Sequence, residues 1–235
     1  MFDTTEPGAV GGDDGYAASQ RNGLPRPTVQ DVLQTILNYI GIAAFAASGA
    51  VVGIRKGFDL FGIAVLAVLT GVGGGVFRDM LLGINPPQSV QEWPNLTVCL
   101  AAAAVTTAFA GLVVRMKQLV LVLDAIGMGF FASAGAALAV DHGASWFAAA
   151  LLGMLTAITG GILRDILANE VPFVMGPDDL YATPAMLGAI TYSVVDYLGP
   201  QWVAVLVGSV LATVLRLMAM IFHWRLPTGP RELIT

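Results

Sequence analysis

The hydrophobic residues of this chain fall into seven long stretches that are separated by short polar connections. Most stretches hold about 20 residues, the length that an α-helix needs to cross the hydrocarbon core of a membrane. A helix of an ordinary soluble protein is commonly about 10 to 14 residues long. The pattern therefore predicts transmembrane helices. The predicted spans are Val32 to Val52, Asp59 to Leu82, Pro94 to Val114, Leu119 to Val140, Trp146 to Ala168, Thr183 to Leu198 and Trp202 to Phe222.

The sixth stretch is the weakest of the seven. It holds about 16 residues, contains Asp196 near its end and stops at Gly199 and Pro200, two residues that commonly terminate a helix. If this stretch does not cross the membrane, the number of spans is six.

Composition also indicates a membrane protein. Of the 235 residues, 56% are hydrophobic and 11% are charged, against roughly a quarter charged in an ordinary soluble domain. So few charges cannot cover a water-soluble surface, and we expect membrane lipid to surround most of the chain. The net charge of −5 is modest and its acidic residues lie mostly outside the apolar stretches, so nucleic acid is not an expected partner.

The distribution of basic residues predicts that the N-terminus lies outside and the C-terminus in the cytoplasm. Lys and Arg near the ends of spans are retained on the cytoplasmic side, and the connections after the second, fourth and sixth predicted spans contain neither. Arg21 and Arg26 in the N-terminal tail are the exception. Basic pairs follow the first, third and seventh predicted spans: Arg55 and Lys56, Arg115 and Lys117, and Arg225 and Arg231.

An internal repeat relates the two halves of the chain. With a shift of 86 residues, 38–86 align without a gap onto 124–172, and about 18 of the 49 positions are identical, more than shared Ala and Gly richness would give. Three predicted spans separate each position from its mate, so the second copy enters the membrane from the opposite side. The basic Arg55–Lys56 pair corresponds to Asp141–His142, as the inversion requires.

The predicted fold is an all-α membrane protein with seven transmembrane helices, built from two inverted three-helix repeats and a seventh helix. Its expected parts, in chain order, are a disordered N-terminal tail (1–29), the first repeat (30–118), the second repeat (119–200), the seventh helix (201–224) and a cytoplasmic tail (225–235).

Glycine clusters occupy matched positions in the second and fifth predicted spans. Thr70 is followed by four glycines within five residues, including Gly74 and Gly75, and Thr156 is followed by Gly160 and Gly161. One interpretation is close helix packing through small residues. The other, which we favour because the clusters recur beside charges, is a kink or an unwound turn that exposes backbone carbonyls to a permeating cation.

Each glycine cluster is followed by an Arg-Asp pair inside the span, Arg78–Asp79 and Arg164–Asp165. A charge that faces lipid costs at least about 2.5 to 3.5 kcal/mol, so these side chains are expected to line a polar path, one pair towards each mouth of a pore. Because neighbouring residues on a helix diverge by about 100°, we expect each charge to find its partner on another helix. Asp124, inside the fourth span, is a possible polar partner.

No arrangement of residues indicates catalysis or cofactor binding. The chain contains no nucleophile elbow, phosphate-binding loop, paired catalytic carboxylates or metal-ligand spacing. We therefore expect neither an enzyme nor a metal site. Arg216, near the end of the seventh span, is interpreted as an anchor that extends towards the lipid headgroups.

The doubled Gly-Gly-x-x-Arg-Asp string, with Pro86 and Pro172 downstream, resembles the prokaryotic branch of the trimeric intracellular cation (TRIC) channels. The resemblance covers about Gln30 to Trp224. It implies a homotrimer in which each subunit passes monovalent cations, K⁺ and Na⁺, without a cofactor. The pore is then lined by the second and fifth helices, kinked at Gly74–Gly75 and Gly160–Gly161.

Two alternatives to a channel remain open at this point. Some bacterial proteins that resemble this chain are labelled glycine transporters, and inverted repeats with broken helices suit secondary transporters of small amino acids equally well. A structural membrane protein would explain the glycines by packing alone, but it leaves the repeated Arg-Asp pair unexplained.

Overall fold

The computed structural model describes residues 29–116, 118–176 and 179–225. The predicted N-terminal tail, except Val29, and the predicted cytoplasmic tail, except Arg225, lie outside the described residues. The main helices are α1 (Val29–Arg55), α2 (Leu60–Leu81), α3 (Trp93–Ala108), α4 (Leu119–Asp141), α5 (Trp146–Leu167), α6 (Ala182–Leu198) and α7 (Gln201–Phe222). The shorter helices are Gln88–Gln91, Ala110–Val113 and a 3₁₀ turn at Phe173–Met175.

The all-helical fold that the sequence predicts is confirmed over these residues, where extended pairing is limited to one isolated bridge between Asp179 and Arg225. Five of the described helices, α1, α2, α4, α5 and α7, are long and apolar enough to cross a membrane. The α3 and α6 helices have 16 and 17 residues, so the count of seven spans stays a prediction.

The third predicted span is wrong in one respect. It was expected to run unbroken from Pro94 to Val114, whereas α3 ends at Ala108 and a separate short helix follows. The break occurs at Phe109, whose φ of −99° and ψ of 22° depart from helical geometry.

The turn between α1 and α2 is built like the turn between α4 and α5. Gly57 and its repeat mate Gly143 have φ of 73° and 80°, values that a residue with a Cβ rarely adopts. The helix that follows is capped by Asp59 in one copy and by its mate Ser145 in the other, each accepting a hydrogen bond from a backbone N–H three residues on.

Contacts between connections define the two ends of the bundle. At one end, which we call the Lys56 end, the Lys56 Nζ lies 2.7 Å from the Glu170 Oε1, and Arg55 donates a hydrogen bond to the backbone oxygen of Met116. At the other end, which we call the Asp141 end, Gln201 donates a hydrogen bond to Asp141. The odd-numbered helices therefore end at the Lys56 end, and the helices alternate in direction.

The outer surface of the bundle is covered by large apolar side chains. Phe61 is 77% exposed and Trp146 is 68% exposed. An apolar surface of this extent is stable in lipid but would drive association in water. The interior is built mainly of Ala and Gly, together with a stacked pair of rings, Phe45 and Phe131, whose centroids are 5.4 Å apart.

Candidate functional site: two buried charge clusters beside the α2–α5 crossing

The glycine clusters bring α2 and α5 into backbone contact. A Cβ added to Gly74 would collide with the backbone oxygen of Thr156, and one added to Gly160 would collide with the backbone oxygen of Thr70. These four residues exchange places under the shift of 86 residues. Gly74 and Gly160 thus serve the close packing of two helices.

The threonines of this crossing are fully buried and turn their hydroxyls to their own helices. The Thr70 Oγ1 donates to the backbone oxygen of Leu66, and the Thr156 Oγ1 donates to that of Leu152, each at 2.6 Å. Both α2 and α5 continue as helix through the clusters, so the unwound turn that we considered is absent. A bend of the helix axes stays a prediction.

Gly75 and Gly161 face polar side chains rather than a helix backbone. A Cβ on Gly75 would meet the Ser89 Oγ, and one on Gly161 would meet the Tyr181 hydroxyl and the Asp124 carboxylate. Each of these glycines therefore makes room for the charge cluster of its own half.

The first cluster lies at the Asp141 end around Asp79. Arg78 donates to the Asp79 Oδ1 from its Nε at 3.0 Å and its Nη2 at 2.7 Å, and the Ser89 backbone N–H and hydroxyl donate to the Asp79 Oδ2. Asp79 is fully buried, whereas the Arg78 side chain is 12% exposed. The carboxylate is thus satisfied, and the guanidinium keeps access to the space beside it.

The second cluster lies towards the Lys56 end around Arg164, which is fully buried. Its Nη1 donates to the Asp124 Oδ1 at 2.6 Å and to the Ser48 Oγ at 2.5 Å, and its Nε donates to the Asp165 Oδ1 at 2.8 Å. The guanidinium carbon lies 5.2 Å from the centre of the Phe173 ring. The side chain therefore ties α5 to both α1 and α4.

The expectation that neighbouring Arg and Asp would not pair is wrong in both repeats. Their Cβ atoms do diverge, but the long arginine side chain bends along the helix surface and brings its Nε to the carboxylate of the next residue. Asp124, singled out as a possible partner, lies against Arg164 as a second carboxylate.

The interpretation of Arg216 as a headgroup anchor is wrong. Arg216 is 3% exposed, donates to the backbone oxygen of Leu180 at 2.7 Å and lies over the ring of Tyr181. The sequence offered no signal for Tyr181, which immediately precedes α6. Burial raises the pKa of the Tyr181 hydroxyl well above its ordinary value, so this group stays protonated and neutral.

A cavity of about 210 Å³ enters the bundle at the Asp141 end. It passes Arg78, and its lining residues nearest the middle of α1, α2 and α4 are Ile42, Gly71 and Phe130. Beyond them, on the way to the Lys56 end, Phe45 stacks on Phe131. The cavity thus approaches the α2–α5 crossing from one side.

The two halves of the bundle differ in what occupies the space beside their arginine. Asn38 and Arg78 line the cavity of the first half. Their repeat mates Asp124 and Arg164 instead form a buried ion pair. One half is open and the other is closed by its own side chains. Among the described residues, no three His, Cys, Asp or Glu side chains come together as a metal site would require.

Comparison with protein families gives a match over most of the helical region. The model of the family described as glycine transporter matches residues 35–111 and again 121–197. The two matched segments have equal length and begin 86 residues apart, which is the shift found within the sequence.

Individual proteins and solved structures are also similar to this chain over most of its length. The UPF0126 inner membrane protein YadS of Escherichia coli K12 is 34% identical over 195 residues, which are 82% of this chain and 94% of that protein. A solved TRIC cation channel is 38% identical with a TM-score of 0.76, covering 83% of this chain and 97% of that one. The TRIC orthologue from Rhodobacter sphaeroides is 36% identical with a TM-score of 0.76, covering 80% and 97%.

Proposed function

Because the chain belongs to the TRIC/UPF0126 family of membrane proteins, we propose that it is a cation channel that passes K⁺ and Na⁺ through a pore beside α2 and α5 in each subunit. The solved relatives are TRIC cation channels. The observation that carries the proposal is the cavity, which leads from the Asp141 end past Arg78 towards the α2–α5 crossing.

The arginines beside this path are compatible with cation passage because carboxylates neutralise them. Arg78 is paired with Asp79, and Arg164 is paired with both Asp124 and Asp165. An unpaired arginine in a pore would repel the permeant ion. The neutralised pairs remove that barrier.

The conformation described here is a closed one in this proposal. The Phe45–Phe131 stack blocks the middle of the bundle, and the bonds of Arg164 to Ser48 and Asp124 hold α1, α4 and α5 together beyond it. Opening requires Arg164 to leave these partners, so the cluster around it is the gate.

The proposed assembly is a homotrimer in the cell inner membrane, with seven spans in two inverted repeats and a seventh helix. Trimers are named for the Rhodobacter sphaeroides relative, and the Escherichia coli relative is an inner membrane protein. The basic residues at the Lys56 end favour a cytoplasmic location for that end. Membrane lipid and monovalent cations are then the surroundings and the cargo, with no cofactor.

The proposal is tested with purified protein reconstituted in a planar bilayer. The expected result is discrete single-channel current steps carried by K⁺ and Na⁺, from a protein whose mass in solution is that of a trimer. Because the Arg164 cluster is the gate, Asp124→Asn is expected to raise the open probability, whereas Asp196→Asn, which removes a carboxylate near the end of α6, serves as the control. Absence of steps at every voltage would contradict the channel.

The second candidate is a secondary transporter of a small amino acid such as glycine. It is favoured by the family description and by the open first half and closed second half, since alternating access needs two inverted repeats in different states. Reconstituted vesicles distinguish the two. A carrier gives saturable glycine uptake without current steps, whereas a channel gives K⁺ flux that far exceeds any glycine uptake.

A further inference from the structure

The hydroxyl of Tyr181 is buried beside the Arg164 cluster and has no role in the closed conformation. The side chain is 5% exposed, and its hydroxyl forms no hydrogen bond within the described part of the chain. A buried hydroxyl is normally paired, and one that is left unpaired lowers the stability of the protein. A group without a partner in one conformation indicates that its partner belongs to another.

An acceptor that also lacks a partner lies close to this hydroxyl. The Asp124 Oδ1 is bonded to Arg164, whereas the Asp124 Oδ2 is buried without a partner among the described residues. A Cβ built on Gly161 would meet both the Tyr181 hydroxyl and the Asp124 Oδ1. Asp124 is also the side chain that acts most strongly on the hydroxyl, although the two do not reach hydrogen-bond geometry.

A similar arrangement is complete in the first half of the bundle. Gly75, the repeat mate of Gly161, faces the Ser89 hydroxyl. That hydroxyl comes from the connection between α2 and α3 and donates to the Asp79 Oδ2 at 2.8 Å. Tyr181 comes from the equivalent connection, between α5 and α6, and its hydroxyl still lacks a carboxylate.

Opening of the gate leaves Asp124 in need of a donor. Arg164 must then leave Asp124, and a buried carboxylate without its cation is strongly unfavourable. A hydroxyl can donate to a carboxylate, and a hydrogen bond to a charged acceptor is roughly twice as strong as one between neutral groups. The guanidinium carbon of Arg216 lies 4.9 Å from the centre of the Tyr181 ring, which places a positive charge close to the same donor.

We propose that Tyr181 is a gating residue, whose hydroxyl binds Asp124 when Arg164 leaves and thereby stabilises the open conformation. The proposal rests on the proposed channel function and gives the gate a second set of bonds. Gly161 keeps the space between the hydroxyl and the carboxylate free, because any side chain at this position would fill it.

Tyr181→Phe tests the proposal, because it removes the hydroxyl and keeps the ring over Arg216. The closed conformation uses no bond of this hydroxyl, so the melting temperature in detergent should equal or exceed that of the wild type. The open conformation loses a bond to a charged acceptor, so the open probability in a planar bilayer should fall about tenfold. The matched control is Tyr192→Phe, which removes a hydroxyl that accepts a hydrogen bond from Gln201. It should lower the melting temperature and leave the open probability unchanged.

A double variant tests the pairing with Asp124. In the Asp124→Asn background, Tyr181→Phe should lower the open probability at most about threefold, because the acceptor is no longer charged. A tenfold fall in both backgrounds, or no fall in either, overturns the role of Tyr181 and leaves the channel standing. A lower melting temperature of Tyr181→Phe also overturns it, since the hydroxyl would then have a partner in the closed conformation. A wild type without current steps overturns the channel and this proposal together.

Discussion

Arg78 and Arg164 hold equivalent places in the two repeats but have different surroundings. Arg164 is fully buried between two carboxylates and the Ser48 hydroxyl, whereas Arg78 has one carboxylate and 12% exposure beside a cavity. Two differences between the repeats contribute, since Asp124 takes the place of Asn38 and Ser48 takes the place of Ala134. Both partners of Arg164 thus fill the space that stays open beside Arg78.

Arg164→Gln should destabilise the protein far more than Arg78→Gln. Removing Arg164 leaves Asp124 and Asp165 as buried carboxylates without their cation, which costs about 3 to 5 kcal/mol. Removing Arg78 leaves Asp79 with its two bonds from Ser89. The measurement is the melting temperature of each variant in detergent, and equal losses in the two variants would contradict this account.

Asp124→Asn in the Arg164→Gln background should recover part of that loss. The double variant removes one of the uncompensated charges, so the two changes are not additive. The same melting experiment gives the coupling energy between positions 164 and 124. A double variant less stable than Arg164→Gln alone would show that Asp124 is not the main partner of Arg164.

The sequence predicted which residues carry the charges, but not their pairing. Repetition of the Arg-Asp string marked Arg78 and Arg164, while helix geometry alone misled because it fixes the Cβ direction and not the reach of a long side chain. Arg216 was misinterpreted for a similar reason. The position of Arg216 near the end of a span suggested contact with lipid headgroups. In the structure, the residues just before α6 cover Arg216 with the ring of Tyr181, and the backbone oxygen of Leu180 accepts a hydrogen bond from it.

At the scale of elements, the crossing of α2 and α5 depends on two glycines. Gly74→Ala should separate the helices because its methyl group would meet the rigid backbone of Thr156. Gly111→Ala is the matched control, since nothing lies within 4 Å of its Cβ position and alanine is favoured over glycine by about 1 kcal/mol in a helix. Gly74→Ala should lower the melting temperature, and Gly111→Ala should keep or raise it. A neutral Gly74→Ala would contradict the close contact.

Glycine serves a different purpose in the turns after α1 and α4. No atom lies within 4 Å of a Cβ at Gly57 or Gly143, but both have a positive φ. Gly57→Ala and Gly143→Ala should therefore each cost about 1 kcal/mol through backbone strain alone. Unfolding by heat or by guanidinium chloride measures the lost stability. Gly57→Asn should lose much less than Gly57→Ala, because Asn tolerates a positive φ better. Equal losses for Ala and Asn would contradict a backbone origin.

At the scale of the whole molecule, apolar stretch lengths and the 86-residue shift were sufficient to place every main helix except α3 within a few residues, and α3 ends at Ala108 rather than at the predicted Val114. They did not predict the break at Phe109 or the short helix Gln88–Gln91. Neither feature has a periodic signal, because each depends on contacts with other parts of the chain. The Asp141-end cavity was missed for the same reason, since Asn95 and Glu92 reach it only through the fold.

The inverted arrangement makes a prediction about accessibility. Lys56 and His142 are repeat mates, both exposed, at opposite ends of the bundle. Single cysteines introduced at these positions in a Cys99→Ala background should react with a membrane-impermeant thiol reagent from opposite sides of the membrane, Lys56→Cys from the cytoplasm and His142→Cys from outside. Labelling of both from one side would contradict the inverted repeat.

The reciprocal contact of Gly74 with Thr156 and of Gly160 with Thr70 limits how α2 and α5 can move against each other. Two backbones that touch at one crossing can tilt about it more easily than they can slide, because sliding along the axis would drive a neighbouring side chain into the carbonyl. In the proposed channel, α2 and α5 would therefore pivot about this crossing. A tilt that widened the space between them at the Lys56 end would narrow it at the Asp141 end.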